Sequence, residues 1–409
     1  MKLKYRTNKV RKEDYPIHNW YRFVLSFPPH LVKHYLEKFE LPSDSVVLDP
    51  FCGTGTSLVE SRLNYYHSIG IEANPISYFA SKTKLNWLFS PDELVDTAFE
   101  IAERVDQLLK EEGIDDYNLM HTNSIFLRNL PEESQKVLLK NSISPIPMHK
   151  SIALIEEITR IKDEPLKDHL LLACLNTIIN NVSNLRFGPE VGVGKIKEDA
   201  ALLNPWLDNV KTIAEDISSL LYGYENINYE THLGDSRMIN QYLSPNSVQA
   251  VITSPPYPNE KDYSRATRLE SVLLGLVRNM QEMRNIKKTF VRSNTRSVYK
   301  QDRRIELGKT SGFEKMYSKV TLQYFGGMAK HLANLRPSLT PGAKLAYVVG
   351  DQSSYFRVMI RTGQLLAEVA ESLGYKVLDL ELFRTRPATV SKKMLREEVL
   401  VLEYTGDNG

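Results

Sequence analysis

Cysteine is scarce in this chain. Two residues in 409, Cys52 and Cys174, are too few for a disulfide framework or a four-thiolate zinc site, and they fit a reducing compartment. Long apolar runs are missing as well. No stretch reaches the roughly 18 residues of a membrane span, and the charged segment from Met1 to Lys12 lacks the apolar stretch of a secretory signal. The expectation is a soluble, cytoplasmic protein without a membrane partner. Charge of one sign is not in excess: 52 Lys and Arg face 50 Asp and Glu, a net +2, so affinity for nucleic acid has to come from local patches. No repeat with a period of about 20 to 50 residues occurs, which excludes solenoids and propellers. Neither His121, His149 nor any other histidine has metal-ligand spacing, so no metal is expected.

What is there is a globular composition, 42% apolar, enough for one large or two ordinary domains. Charge divides the chain into zones. Met1 to Lys38 carries nine Lys/Arg against three Asp/Glu, Pro91 to Glu230 thirteen against 25, and Arg278 to Lys319 twelve against four. Short β-branched runs end abruptly in polar or turn residues: Val46 to Leu48 before Asp49, Ser68 to Ile71 before Glu72, Tyr229 to Leu233 before Gly234, and Ala250 to Thr253 before Ser254. They predict buried parallel strands. Ala343 to Val349, a helical period from Val358 to Leu373, Lys376 to Phe383 and Glu398 to Tyr404 continue the alternation. The fold class is therefore α/β, a doubly wound, mostly parallel Rossmann-like sheet. Helical spacing in Leu94 to Lys110, Ile152 to Ile161, Leu166 to Asn184 and Leu207 to Leu221 predicts a helical insertion subdomain, broken at Ser144-Pro145-Ile146-Pro147 and at Gly188-Pro189. The expected division is 1–90 and 226–409 for the two parts of the catalytic domain, 91–225 for the insertion, and a basic segment over 278–320.

Two constellations carry chemistry. In Val46-Val47-Leu48-Asp49-Pro50-Phe51-Cys52-Gly53-Thr54-Gly55-Thr56 a strand runs through a glycine turn into a helix opening at Thr56, which leaves backbone N–H groups aimed at a close ligand. Leu58 replaces the third glycine of a dinucleotide loop, and Gly188 to Lys195 lacks the Gly and Ser/Thr of a phosphate loop, so NAD and ATP are disfavoured. Glu72, ending the next strand about 20 residues on, is placed to accept from both hydroxyls of a ribose. Adenosine without a phosphate tail fits this spacing. The second constellation is Ser254-Pro255-Pro256-Tyr257-Pro258, a rigid turn after a strand. Tyr257 offers a ring on which a flipped base can stack, and the Ser254 hydroxyl and Pro255 carbonyl offer acceptors to an exocyclic amine.

With both motifs, the chain resembles the S-adenosylmethionine-dependent DNA amino-methyltransferases over about its first 90 and last 180 residues. The resemblance implies a class I methyltransferase sheet with S-adenosylmethionine as cofactor. It implies that the loop residues Asp49, Phe51, Gly53 and Gly55 hold the methionine part, that Glu72 holds the ribose, that Asp235 lies near the adenine ring, and that Phe27 and Pro28 belong to a segment closing over the cofactor. The Ser-Pro-Pro-Tyr form is similar to the N4-cytosine members, which implies catalysis by Ser254, Pro255, Pro256 and Tyr257 at a site-specific DNA target, in restriction–modification or defence, with any cleaving endonuclease or defence subunit on another chain. N6-adenine methylation, RNA guanine-N2 methylation and a catalytically silent DNA-binding module stay open as alternatives. The C5-cytosine route needs a Pro-Cys pair, but Phe51 precedes Cys52 and Ala173 precedes Cys174. The helical block between Glu72 and Asp235 departs from the family's usual arrangement.

For the target, Asp262 and Tyr263 are expected to line the base pocket, and Arg265 or Arg268 to meet phosphate. Arg292, Arg296, Arg303 and Arg304, interleaved with polar and aromatic residues, are expected in a DNA-facing loop. The second candidate for target contact is the loop from Arg186 to Lys197, including Lys195. It follows Asn176, Asn180 and Asn184, whose four-residue spacing suggests binding to another helix rather than to base edges.

Overall fold

The computed structural model describes residues 10–21, 27–122, 126–188, 191–220, 223–258, 262–293, 313–352, 359–387 and 394–406. Its main sheet has seven strands: β1 (Val46–Asp49), β2 (His67–Glu72), β3 (Tyr229–Leu233), β4 (Val248–Thr253), β5 (Leu339–Gly350), β6 (Tyr375–Pro387) and β7 (Met394–Tyr404). Their order is β6-β7-β5-β4-β1-β2-β3. The five strands from β3 to β5 pair in parallel, while β7 lies antiparallel between β5 and β6. The order reverses between β1 and β4, where a doubly wound sheet opens a crevice beyond its carboxyl ends. The helices are α1 (Pro29–Phe39), α2 (Thr56–Leu63), α3 (Pro75–Leu85), a block of α4 (Pro91–Glu111), α5 (Pro145–Thr159), α6 (Glu164–Thr177) and α7 (Leu203–Ser218) between β2 and β3, then α8 (Arg268–Leu273), α9 (Met280–Thr289), α10 (Phe313–Leu335) and α11 (Thr362–Ser372).

Period-two alternation makes the sheet two-faced. Val47, Ala250, Ile252, Ala346, Val348 and Val399 pack with Leu31, Val32, Tyr35 and Leu36 of α1. Their neighbours Leu48, Val251, Leu345, Tyr347, Val349 and Leu400 pack on the opposite face with Tyr324, Met328 and Leu332 of α10 and Leu366 of α11. Both faces are covered, so the strands read as continuous apolar runs.

A third cluster joins Leu58 and Val59 of α2 and Ile76 and Ala80 of α3 to Ile101, Leu154, Leu170 and Trp206 of the helical block. The block therefore shares its core with α2 and α3, which flank the sheet. Two expectations change here. Pro145 does not break a helix but begins α5, because a first-turn proline lacks only an N–H that would have had no helical partner. The predicted helix from Leu166 to Asn184 ends as an α-helix at Thr177 and passes into a wider turn over Ile178–Val182. Two of the three spaced asparagines make contacts within the block: Asn176 Nδ2 donates to Asn209 of the neighbouring helix, and Asn184 donates to Asn141 and Ser144 and accepts from the Lys197 backbone, whereas Asn180 is exposed and donates to Asn176.

Candidate active site

The carboxyl ends of β1, β2, β3 and β4 surround one cavity of ≈ 400 Å³, whose lining includes Phe27, Phe51, Gly53, Glu72, Asn74, Gly234, Ser236 and the run Ser254 to Tyr257. At the end of β1 the loop is shaped from beneath by Asp49, which is fully buried and does not reach the cavity. It accepts from the Phe51 N–H at 3.0 Å, from Ser57 Oγ at 2.6 Å and from Thr253 Oγ1 at 2.5 Å, so one carboxylate fixes the turn and ties β1 to β4. Burial raises its pKa to about 6, against the lowering by these hydrogen bonds. Gly53 has φ +53°, and a Cβ there would meet nothing within 4 Å, so open space lies against its backbone. Gly55, at φ +88°, approaches α3 instead, with an added Cβ 3.1 Å from that of Ser81. Gly55 serves the turn and is not part of the lining.

Glu72 ends β2 with both oxygens held. Oε2 accepts from the Gly53 N–H at 2.8 Å and Oε1 from the Asn74 N–H at 2.7 Å. Burial is the main cause that raises its pKa to about 7, with the nearby Asp49 adding to the rise. The carboxylate lines the cavity with lone pairs to spare, as two ribose hydroxyls require. Asn74 caps α3 through the Ile76 N–H and donates to Thr267 at 3.0 Å, and it joins the lining without having been expected there. Open space at Gly53, a half-buried carboxylate beside it and flanking Phe27 and Phe51 suit a nucleoside with a cationic sulfur. Pro28 caps α1 and leaves the cavity to Phe27. Asp235 departs from expectation: its carboxylate is turned onto Arg237, with Nη2 at 2.7 Å and Nε at 2.9 Å, while its neighbours Gly234 and Ser236 line the cavity.

The proline turn after β4 sets the opposite wall. Ser254 Oγ donates to the Val348 carbonyl of β5 at 3.1 Å, which leaves the hydroxyl lone pairs as acceptors. The Tyr257 N–H donates to the Tyr263 hydroxyl at 3.1 Å, and both rings line the cavity. The Tyr257 ring packs closely against β5: a Cβ added to Gly350 would come 2.9 Å from its Cε2. Burial first, then the charge of Glu397, pushes the Tyr257 hydroxyl well above its ordinary pKa, so the ring stays neutral.

The target candidates scatter. Asp262 is no part of the lining; it holds Lys287 at 2.6 Å, Arg268 at 3.4 Å and Ser264, and the lysine and arginine lower its pKa against burial. Arg268 is thereby committed to a carboxylate, and Arg265 Nε donates to the Val191 carbonyl at 3.1 Å. Arg292 is buried, at 1% exposure, with Nη1 donating to the Lys287 carbonyl, which removes it from a DNA-facing role. Arg296, Arg303 and Arg304 lie outside the described residues. Arg186 and Lys195 are exposed, Arg186 on a short hairpin that pairs Leu185–Arg186 with Gly192–Val193. Arg265 ties this hairpin to the segment that follows the proline turn. Sequence reasoning missed Phe290 and Val291, and Phe383, Arg384, Arg386 and Glu397 of β6 and β7, all in the lining; they come from elements whose local pattern signals only strand or helix end.

A family described as DNA methylase matches residues 3–82, which hold the β1 loop and Glu72. The chain is 26% identical to the Type II methyltransferase M.BsoBI of Geobacillus stearothermophilus over 96% of its own length and 84% of that protein. It is 22% identical to the Type II methyltransferase M.AvaI of Nostoc sp. (strain PCC 7120), over 93% of this chain and 83% of the relative. At these coverages both matches run through the helical block. Among solved structures, the rRNA methyltransferase aviRa of Streptomyces viridochromogenes covers 98% of this chain and 97% of its own, with 10% identity and a TM-score of 0.37. The sheet, parallel but for β7 wedged between β5 and β6, is the class I methyltransferase sheet. The chain is thus similar to DNA methylases over residues 3–82 and to Type II methyltransferases over most of its length, a likeness that implies S-adenosylmethionine as methyl donor.

Proposed function

We propose that the chain methylates the exocyclic N4 of cytosine at a specific site in DNA. The observation that carries the reading is the state of Ser254. Its hydroxyl donates to the Val348 carbonyl and is also within hydrogen-bond reach of Tyr257, which supports its acting as an acceptor toward a neutral amino group with N–H to donate. S-adenosylmethionine, when bound, supplies an electrophilic methyl carbon on a positively charged sulfur. The chain's own residues supply position. Glu72, Gly53, Phe51 and Phe27 hold the donor, with Asp49 and Gly55 shaping the loop beneath. Ser254 Oγ and the Pro255 carbonyl accept from the amine and draw electron density toward nitrogen, Pro256 keeps the turn rigid, and Tyr257 supports the extruded ring. The nitrogen lone pair forms the new C–N bond as the methyl's bond to sulfur breaks, with that electron pair staying on the now neutral sulfur, and the surplus proton on nitrogen passes to solvent by way of the hydrogen bond to Ser254. No enzyme nucleophile takes part.

The names of the relatives, Type II methyltransferases, support a modification role in a restriction–modification or defence system, with any endonuclease on another chain. Arg186 and Lys195, and Arg296, Arg303 and Arg304, are the remaining candidates for contact with DNA phosphate or base edges. Transfer of labelled methyl to polymerase-copied, unmodified genomic DNA, read as nucleosides by mass spectrometry, tests the reading. N4-methyldeoxycytidine that is lost in Ser254→Ala and Tyr257→Ala is the expected product. N6-methyldeoxyadenosine would overturn the target and keep the mechanism, and transfer to structured RNA alone would overturn the substrate.

A further inference from the structure

We propose that Arg384 distinguishes cytosine from adenine in the target pocket, an inference that rests on the N4-cytosine reading above. Arg384 and Glu397 face each other across the β6–β7 ladder. Arg384 Nε donates to Glu397 Oε2, Arg386 Nε takes Oε1 at 3.0 Å, and Arg386 Nη2 reaches Gln352 Oε1 at 3.4 Å. The Glu397 side chain is only 9% exposed, and both of its oxygens are committed. It is a positioning residue. Arg384 keeps its two Nη groups without a hydrogen-bond partner among the described residues, at a side-chain exposure of 31%. It lines the same cavity as Ser254, Pro255, Tyr257, Tyr263 and Phe383. A guanidinium pinned by Nε and open at its Nη end is a rigid pair of donors.

The chemistry of the two bases decides what that pair reads. With the amine of cytosine on Ser254 and Pro255, the next atoms along its ring edge are N3 and O2, two acceptors in a row that match two donors. With the amine of adenine in the same place, the next atoms are N1 and a C–H. One donor then faces carbon and loses its water without replacement. A bidentate contact of this kind is worth about ten- to a hundredfold in discrimination.

The test begins with the wild-type chain on unmodified genomic DNA, with products identified as nucleosides and the methylated position mapped by sequencing. Synthetic duplexes carrying cytosine or adenine at that position are then compared for kcat/KM in wild type, Arg384→Leu and Arg384→Lys, with S-adenosylhomocysteine affinity as the check on folding. The expected result is a cytosine-over-adenine preference that falls about ten- to a hundredfold in Arg384→Leu and by an intermediate factor in Arg384→Lys, with cofactor-product affinity unchanged. A wild type that makes N4-methyldeoxycytidine with the preference intact in both variants would overturn this role and leave the cytosine reading standing. A wild type that makes only N6-methyldeoxyadenosine would overturn both. If Arg384→Leu fails to fold, the lysine variant decides, because it retains the ion pair with Glu397 and loses the paired donors.

Discussion

Affinity for the cofactor should depend on pH through Glu72. The ribose hydroxyls are donors and the carboxylate must accept, so the ionised form binds and the protonated form does not. Burial holds this group at a pKa of about 7, so roughly nine-tenths is ionised at pH 8 and roughly one-tenth at pH 6. The dissociation constant for S-adenosylhomocysteine should therefore rise about tenfold between pH 8 and pH 6, equivalent to about 1.4 kcal/mol. Binding at pH 6 should release close to one proton, because the complex stabilises the ionised carboxylate. Asp49, at about 6, steepens the loss below that pH by loosening the loop. Calorimetry in two buffers of different ionisation enthalpy reads both quantities. Glu72→Gln should bind about ten- to a hundredfold more weakly at pH 8, having lost a charge-assisted acceptor, and with little slope. A wild-type affinity that stays within twofold from pH 6 to pH 8, with no buffer-dependent heat, would refute the reasoning.

Gly350→Ala should move the Tyr257 ring, whose Cε2 lies 2.9 Å from the added Cβ, and lower kcat about ten- to a hundredfold with S-adenosylhomocysteine affinity close to wild type in titration. Glu270 is buried, accepts from Tyr21 at 2.7 Å and has its pKa raised to about 7 by that burial. A raised folded-state pKa favours folding while the group is protonated, so this stability is full below about pH 4.5 and is lost as pH rises through about 7. Glu270→Gln should thus be near neutral at pH 5 and stabilising by about 2 kcal/mol at pH 8 in urea denaturation. Arg62 is 1% exposed, packs over Trp87 at 4.4 Å and Tyr229 at 4.6 Å, and donates to the carbonyls of Leu85 and Tyr224. Arg62→Leu should cost about 2–4 kcal/mol, because two buried carbonyls lose their donor and two rings their cation; a loss below 1 kcal/mol on the same denaturation curves would contradict that account.

The sheet and its active edge were legible because parallel strands are short apolar runs that stop at a functional residue. Asp49, Glu72 and Ser254 mark three such stops, and each falls where its strand ends. The loop was legible from glycine spacing, although only Gly53 of its two glycines borders the open space. What sequence could not supply is which charges find each other. Asp262 and Asp235 look like free carboxylates in a line of residues, yet Lys287 and Arg268 claim the one and Arg237 the other. Arg292 sits in a basic run and is nonetheless buried. The pocket's far wall was hidden for a related reason: Arg384 and Glu397 stand 13 residues apart on two antiparallel strands, and only the register between them makes them one unit.

The wedged position of β7 also orders the assembly of the molecule. β5 and β6 are both made earlier, and β5 already pairs with β4, but β5 and β6 do not pair with each other; the other edge of β5 and the pairing edge of β6 both wait for the strand synthesised after them. Until residues 394–404 emerge, β5 carries an open edge and the cavity lacks Glu397, without which Arg384 and Arg386 have no shared anchor. Closing the sheet and completing the pocket are one event. A nascent chain halted before that event keeps an open sheet edge, which is prone to aggregate, and a cavity whose wall is incomplete.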